Sequence, residues 1–521
     1  MWEGMVNGML TGITTTLVPI NIFMVLFGCF MGSLIGMLPG LGPITAVALM
    51  IPVTYNLDPS TGMVLLAGVY YGAIFGGSTS SILINAPGEA ATVATALDGY
   101  PLARQGYPGK ALAIAAYSSF SGGTIGVIFL MIFAPMLAGV ATSFQSVDYF
   151  ALMILGLTAV SAFAGRGSVL KALLMAVLGL MLATVGTDQI SGTQRFTFGS
   201  LELLDGIEFL LLAMATFALT EALSIILNRD ESSDSLKPKM IGFKSLKVTK
   251  KEFKLIVPTI GRSAILGFLI GVLPGAGATL GSFMAYGMER NLASPDEQKK
   301  FGKGSLIGLA APETGNNAAS TGSFVPLLCL GIPGSGTTAV MLGALIAYGI
   351  EPGPRMFVDT PEVFWAVIMS MYLGNIFLLI LNLPLIPYFA RLLAIPRNFM
   401  VPMILFFSLM GVYLVTFNDF DLLMMVGFCI AAMALRMMNY PMAPLLLGFI
   451  LGGLMEDNLR RGLLIYDESI SFMWERPLTL GINLTTIFIL SLPFLRRVLS
   501  RSKGKDVLEP EVVTIHGELD D

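Results

Sequence analysis

The sequence predicts an all-α polytopic membrane protein with about 11–12 transmembrane helices, arranged as two repeats that contain discontinuous helices or re-entrant hairpins. Three observations support this fold class. Hydrophobic residues make up 55% of the 521 residues and charged residues only 12%, whereas about a quarter of the residues in a soluble domain are charged. The charges are missing from long continuous stretches. Finally, two Pro-Gly motifs occur twice in the same order.

Four long runs of the chain contain no charged residue. They are residues 4–57, 111–147, 263–288 and 314–350. Because a helix needs about 20 mostly apolar residues to cross the hydrocarbon core of a bilayer, several of these runs hold one or two spans each. Shorter charge-free runs in the last third of the chain complete the count of about 11–12 spans.

Basic residues divide the chain and predict its orientation. One group of lysines and arginines lies within residues 229–254, and a second lies within residues 496–505. Short basic segments stay in the cytoplasm, so both groups should face inward. The expected divisions are a first transmembrane repeat half at 1–228, a basic cytoplasmic linker at 229–256, a second transmembrane repeat half at 257–499 and a disordered cytoplasmic tail at 500–521.

Two Pro-Gly breaks recur at matching positions in the two halves. The motif GMLPGLG at residues 36–42 returns 235 residues later as GVLPGAG. The second break, Pro87-Gly88, returns 246 residues later as Pro333-Gly334, and small hydroxylated residues precede both copies. Repeats with broken helices are typical of secondary transporters. We expect the two repeats to be inverted relative to each other.

The four breaks are predicted to form a substrate site. Proline removes a backbone donor and glycine lets the chain turn, and unpaired backbone groups survive in a membrane only where protein or a water-filled cavity satisfies them. Because the apolar runs contain almost no Lys or Arg, helix N-termini rather than salt bridges are expected to hold an anion. The alternative is that glycine and proline only kink packed helices. The predicted substrate-binding residues are Pro39, Gly40, Gly42, Ser78, Thr79, Pro87, Gly88, Pro274, Gly275, Gly277, Pro333, Gly334, Ser335, Thr337 and Thr338.

Oxygen-bearing side chains near the breaks predict a site for a coupling ion. Amide, hydroxyl and backbone carbonyl oxygens are the ligands that a hard cation accepts. Each of these residues could equally hydrogen-bond a neighbouring helix. Neutral oxygens outnumber buried carboxylates, which favours Na⁺ over H⁺ as the coupling ion, and no other cofactor is expected. The predicted ion-coupling residues are Asn85, Asn316, Asn317, Ser320 and Thr321.

Three ionisable residues border the apolar runs. Intramembrane ionisable groups are functional candidates by default. Glu313 is expected either to couple protons or, as the favoured interpretation, to lie at the end of a cytoplasmic loop. Glu89 follows the second break and is expected to cap a helix N-terminus. Arg262 is expected to anchor its helix at the membrane interface, with a substrate contact as the alternative.

Four motifs resemble those of one transporter family. They lie at residues 36–43, 87–101, 312–318 and 330–340. Over most of its length the chain resembles the large membrane subunit of the tripartite tricarboxylate transporters, the TctA family. The resemblance implies a protein of the bacterial inner membrane that works with a small four-span membrane subunit and a periplasmic solute-binding protein. It also implies import of organic acids, di- or tricarboxylates such as citrate, driven by an ion gradient.

Two other functions fit the residues less well. A channel-like anion permease would also be compatible with repeats and broken helices. An intramembrane serine hydrolase would need a base beside its nucleophile, but the only histidine, His516, lies in the polar tail. The chain is therefore not expected to be an enzyme. Its expected surroundings are the lipid bilayer, the carboxylate substrate and the two partner subunits, with no nucleic acid.

Overall fold

A computed structural model describes most of the chain. The described residues are 2–38, 41–141, 143–163, 169–188, 190–227, 243–275, 277–353, 355–389 and 397–502. Pro39 and Gly40, much of the predicted linker and nearly all of the predicted tail lie outside these residues. The cytoplasmic location of the linker and tail stays a prediction, as do the boundaries of the two halves.

The described part of the first half is almost entirely helical. A π-helical turn, Met214–Leu219, joins its last two helices. Two short antiparallel strands, β1 (Gly186–Thr187) and β2 (Gln194–Arg195), lie between α8 and α9. The helices are α1 (Trp2–Thr16), α2 (Pro19–Gly36), α3 (Pro43–Thr54), α4 (Pro59–Ile84), α5 (Val93–Arg104), α6 (Pro108–Ala141), α7 (Ser146–Phe163), α8 (Val169–Ala183), α9 (Phe209–Ala213) and α10 (Thr220–Leu227).

The described part of the second half contains helices joined by turns and no strand. Short helices alternate with long ones around the two breaks. The helices are α11 (Lys250–Val272), α12 (Gly277–Leu292), α13 (Pro295–Gln298), α14 (Leu306–Gly322), α15 (Phe324–Leu330), α16 (Gly336–Ala347), α17 (Met356–Asp359), α18 (Pro361–Asn382), α19 (Ile386–Phe389), α20 (Arg397–Thr416), α21 (Asp419–Met437), α22 (Met442–Ile465), α23 (Phe472–Glu475) and α24 (Pro477–Ser502).

The all-α polytopic membrane fold is confirmed. Within the described residues, eight helices are long and apolar enough to cross a membrane: Pro19–Gly36, Pro59–Ile84, Pro108–Leu137, Phe209–Leu227, Lys250–Val272, Pro361–Asn382, Asp419–Met437 and Met442–Ile465. Six further apolar helices, among them α3 and α16, are shorter. The expected total of about 11–12 spans depends on how these shorter helices combine, so it stays a prediction.

The helices that lead into the second and fourth breaks end in the same way. Asn85, the residue that caps the C-terminus of α4, has a left-handed backbone conformation with φ of 54°. The residue after α15, Gly331, has φ of 68°. Asparagine and glycine are the residues that most readily adopt this conformation at a helix C-terminus. Pro87 and Pro333 follow, and each prevents the helix from resuming at once.

Glycines bring the equivalent helix pairs of the two halves into close contact. A Cβ added to Gly36 in α2 would overlap the backbone oxygen of Ala73 in α4. A Cβ added to Gly271 in α11 would overlap the backbone oxygen of Ala319 in α14 in the same way. Small residues allow this close approach of membrane helices. The first and third breaks therefore begin from similarly packed helices.

Candidate functional site

The first and second breaks pack against each other. A Cβ added to Gly42 would lie 3.4 Å from the Cβ of Glu89. A Cβ added to Gly88 would lie 2.9 Å from the Cα of Gly77. The break after α2 and the break after α4 thus form one compact unit, and a side chain at Gly88 would clash with the backbone packed against it.

The third and fourth breaks form the equivalent unit in the second half. The backbone N–H of Gly275 donates to the carbonyl oxygen of Gly334 at 3.1 Å. A Cβ added to Gly277 would lie 3.4 Å from the Cβ of Ser335, and one added to Gly334 would lie 2.7 Å from the Cα of Ser323. These neighbours occupy the same repeat positions as Glu89 and Gly77, so the sequence repeat is also a repeat of local structure.

The two units face a single cavity of about 530 Å³. Six of the predicted substrate-binding residues lie in its wall: Gly42, Gly88, Gly275, Gly277, Ser335 and Thr337. The sequence therefore located residues from all four breaks that the fold brings together. A cavity of this size lies within the range of about 300–1,000 Å³ that is typical of small-molecule sites.

Other predicted residues lie elsewhere. Ser78 and Thr79 line a second, much smaller cavity beside Glu313. Gly334 supports the wall through its bond to Gly275. Among the described residues, those predicted to bind substrate but absent from the wall of the larger cavity are Ser78, Thr79, Pro87, Pro274, Pro333, Gly334 and Thr338.

Three helix N-termini open into the larger cavity. The first turns of α3, α12 and α16 contribute Ile44, Ala278 and Gly336 to its wall. The first N–H groups of a helix have no partner within the helix and carry partial positive charge. The cavity wall therefore offers groups that suit an anion; the binding of substrate at the breaks stays a prediction.

The N-terminus of α16 is held rigid by a capping box. The Oγ of Ser335 accepts from the N–H of Thr338 at 3.2 Å, and the Oγ1 of Thr338 accepts from the N–H of Ser335 at 2.8 Å. Glu89 occupies the matching position before the 3₁₀ turn Ala90–Thr92, but its side chain makes no capping bond. The expectation that Glu89 caps a helix is wrong, because its carboxyl group turns toward Asn316 instead.

An ion pair on the remaining wall was not expected from the sequence. Nη1 of Arg436, near the end of α21, lies 2.6 Å from Oε2 of Glu221 in α10. Both side chains line the larger cavity, together with Phe217 of the π-helical turn and Tyr440. The structure thus adds a cationic side chain to the wall, while the expectation that helix N-termini hold the anion stays a prediction. The only signal in the sequence was an arginine that ends an apolar run.

Glu313 is buried within α14 and not at a loop end. Its side chain is 0% exposed, and α14 begins two turns earlier, at Leu306. Oε2 of Glu313 accepts from the hydroxyls of Ser78 at 3.0 Å and Ser119 at 2.6 Å, and Oε1 accepts from the hydroxyl of Thr95. The favoured interpretation of Glu313 is therefore wrong. Its carboxyl group lies in a cage of hydroxyls from α4, α5 and α6.

The predicted ion-coupling amides lie on the same helix as Glu313. Asn316 and Asn317 are both 0% exposed. Neither amide atom of Asn316 nor the Oδ1 of Asn317 has a hydrogen-bond partner within the described structure. Buried polar atoms without partners are rare in folded proteins, so the oxygens of these two amides are available to a ligand. The Glu89 carboxyl group, however, lies beside Asn316, and the Asn317 amide nitrogen donates to the Glu313 carbonyl oxygen. Their role in ion coupling stays a prediction.

The other predicted ion-coupling residues have local partners. Ser320 and Thr321 donate to the backbone oxygens of Asn316 and Asn317. The Tyr71 hydroxyl also donates to Oγ1 of Thr321 at 2.9 Å. Asn85, by contrast, is exposed at the end of α4, where its left-handed backbone explains the choice of asparagine.

Arg262 forms a structural ion pair. Its Nε and Nη2 each lie 2.7 Å from a carboxylate oxygen of Glu289, and Thr259 donates to the same carboxylate at 2.8 Å. A bidentate pair of this kind fixes geometry strongly. It ties α11 to α12 and so holds the third break between them. It occupies the guanidinium group, so a substrate contact is disfavoured.

Comparisons with known proteins find one matching family and two similar chains. The model of the tripartite tricarboxylate transporter TctA family matches residues 22–447. The chain is 43% identical over 464 residues, 88% of its length, to 90% of an Agrobacterium vitis protein named "Uncharacterized 52.8 kDa protein in TAR-I ttuC' 3'region". It is 41% identical over 233 residues, 44% of its length, to 96% of another A. vitis chain, "Uncharacterized protein in TAR-II ttuC' 3'region". No solved structure matches it.

Proposed function

Because the chain belongs to the tripartite tricarboxylate transporter TctA family, we propose that it is the large membrane subunit of a secondary transporter that imports organic acids. Family membership makes it a multi-pass subunit of a tricarboxylate transporter. The proposal adds the substrate, a di- or tricarboxylate such as citrate. It also adds the driving force, an ion gradient, and delivery of the substrate by a binding protein.

The observation that carries the proposal is the cavity at which all four breaks meet. Its volume of about 530 Å³ accommodates a small polycarboxylate. The N-termini of α3, α12 and α16 offer N–H groups on one part of its wall, and hydroxyls of Ser335 and Thr337 add further donors. Preorganised donors of this kind bind anions without a full positive charge.

Arg436 gives the cavity a second anion-binding element. Its guanidinium lies on a wall formed by α21, α10 and the π-helical turn, apart in sequence from the breaks. A substrate with two carboxylates can place one group at the helix N-termini and the other at Arg436. This arrangement favours di- and tricarboxylates over monocarboxylates, because a single carboxylate uses only one of the two elements.

The coupling ion and the partners complete the proposal. Na⁺ is the proposed coupling ion, since unpartnered amide oxygens of Asn316 and Asn317 are buried beside the breaks. The proposed partners are a small four-span membrane subunit and a periplasmic solute-binding protein. The proposed location is the bacterial inner membrane, with the basic linker and C-terminal tail in the cytoplasm.

Uptake in proteoliposomes tests the proposal. The two membrane subunits are reconstituted and given radiolabelled citrate, with and without the binding protein and an inward Na⁺ gradient. Uptake that needs both is the expected result, and a panel of mono-, di- and tricarboxylates on the same vesicles defines the substrate class. Flux that is independent of the gradient and of the binding protein would instead show a channel-like anion permease.

A further inference from the structure

Glu313 is a buried carboxyl group, and no cationic side chain in the described part of the chain pairs with it. Its side chain is 0% exposed, and in the described part of the chain it forms no ion pair. Its partners are three neutral hydroxyls, and the nearest other carboxyl group, that of Glu89, adds negative charge. An isolated buried carboxylate is very unfavourable. The carboxyl group therefore needs a proton or a cation.

The hydroxyl cage leaves oxygen lone pairs available. Ser78, Thr95 and Ser119 each direct a hydroxyl hydrogen toward Glu313, and a hydroxyl that donates still has two acceptor lone pairs. Ser78 and Ser119 share the wall of one small cavity with the Glu313 carboxyl group, while Thr95 holds its other oxygen, Oε1. Oxygen ligands of this mixed kind suit a hard cation.

The space beside Glu313 matches a single small ion. A small cavity of about 10 Å³ is lined by Glu313, Ser78, Ser119 and Asn382, together with Thr79 and apolar side chains. This is about the volume that one water molecule needs, and Na⁺ is smaller than water. A proton bound to the carboxyl group would need no such space, so the cavity favours a cation.

From the cage and its cavity, we propose that Glu313, Ser78, Thr95 and Ser119 form a binding site for one Na⁺ ion. The ligands come from α4, α5 and α6 of the first half and α14 of the second. The bound ion therefore links the two halves across their interface. This site is separate from the unpartnered amides of Asn316 and Asn317. Unlike those neutral amides, it contains a carboxylate ligand, that of Glu313.

A row of polar residues connects this site to the larger cavity. Glu313, Asn317 and Ser320 are spaced i, i+4 and i+7, which places them on one face of α14. Tyr70 lies beside Ser320 and its hydroxyl is 3.5 Å from the Oγ of Ser335, which lines the larger cavity. Occupancy at Glu313 can thus affect the substrate site through directly neighbouring groups. The role of this site in coupling rests on the proposed function, whereas its binding of Na⁺ does not.

Direct Na⁺ binding tests the site without transport. The purified full-length chain in detergent is titrated with ²²Na⁺ at constant ionic strength, using choline as the replacement cation. Saturable binding is expected for the unaltered protein, and Glu313→Gln should lose one saturable Na⁺ site per chain, while any Na⁺ bound by Asn316 and Asn317 remains. Ser119→Ala removes one cage hydroxyl and should weaken binding about tenfold. The matched control, Asp296→Asn, changes a carboxylate that is 91% exposed and should bind as the unaltered protein does.

Each outcome decides the proposal. If Glu313→Gln does not fold, as judged by size-exclusion chromatography, Ser119→Ala decides, and unchanged affinity in that variant overturns the site. Unaltered protein that binds no Na⁺, and whose melting temperature responds to pH alone, would assign a proton to Glu313 and overturn the Na⁺ site. Na⁺ binding without citrate uptake would instead leave this site standing and count against the proposed function.

Discussion

Replacing Arg436 tests how the cavity recognises its substrate. Arg436 is 43% exposed and makes one contact of 2.6 Å with Glu221. A hydrogen bond to a charged group contributes about 1.5–3 kcal/mol, and partial exposure of the guanidinium puts the expected value at about 1.5 kcal/mol. Arg436→Gln should therefore raise the KM for citrate roughly tenfold, with little change in protein abundance.

The assay is initial-rate uptake in proteoliposomes over a range of citrate and monocarboxylate concentrations. The effect should be confined to polycarboxylates, because a monocarboxylate can bind at the helix N-termini alone. Glu221→Gln should lower the KM for citrate, since the guanidinium loses its competing carboxylate. Arg355→Gln is the matched control, because Arg355 is 74% exposed and pairs with Asp359 outside the cavity. A KM for citrate that is unchanged in Arg436→Gln would refute the assignment.

Three further predictions concern Gly334 and Ser335 at the breaks, and an ion pair outside the cavity, Asp188 with Arg460. Gly334→Val should abolish uptake while membrane abundance on immunoblots persists, because a Cβ there would lie 2.7 Å from the Cα of Ser323; normal uptake would contradict the break assignment. Ser335→Ala removes the cap of α16 and should lower stability by about 1 kcal/mol, with a raised KM for citrate; unchanged values of both would contradict it. Asp188 pairs with Arg460, and hydrogen bonds and charge hold its pKa well below the usual range. The pair should therefore stabilise the fold above about pH 4, and this stabilisation should be lost as the pH falls below that value. The melting temperature of Asp188→Asn should accordingly differ from that of the parent at pH 7 and converge with it in acid.

The repeat made much of the site predictable. The spacing of the Pro-Gly motifs assigns the same local role to Gly42 and Gly277, and both glycines lie against the residue directly after the following Pro-Gly pair. Breaks in membrane helices must meet protein or a cavity, so their convergence follows from the backbone chemistry alone. The repeated Pro-Gly motifs and the need to satisfy backbone polar groups within a membrane together made these positions predictable.

Arg436 and Glu313 were not predictable in the same way. Arg436 ends a helix far along the chain, and only the packing of α21 against α10 and the π-helical turn turns it toward the cavity. Glu313 follows a cluster of lysines, which suggested a loop, but Ser305 caps α14 and places Glu313 two turns inside the helix. In both cases tertiary packing decided the environment of a charged side chain.

The Na⁺ site proposed at Glu313 predicts that the cation and the anion bind together. Arg436 is opposed by Glu221 and Glu89 among the charged side chains in the cavity wall, so formal side-chain charge alone would repel a carboxylate. Three helix N-termini contribute about half a positive charge each, which would offset that excess only in part if Glu313 also carried a negative charge. A Na⁺ ion at Glu313 removes the remaining repulsion, and a bound carboxylate in turn favours the ion. Because such coupling is reciprocal, citrate should tighten Na⁺ binding by the same factor by which Na⁺ tightens citrate binding.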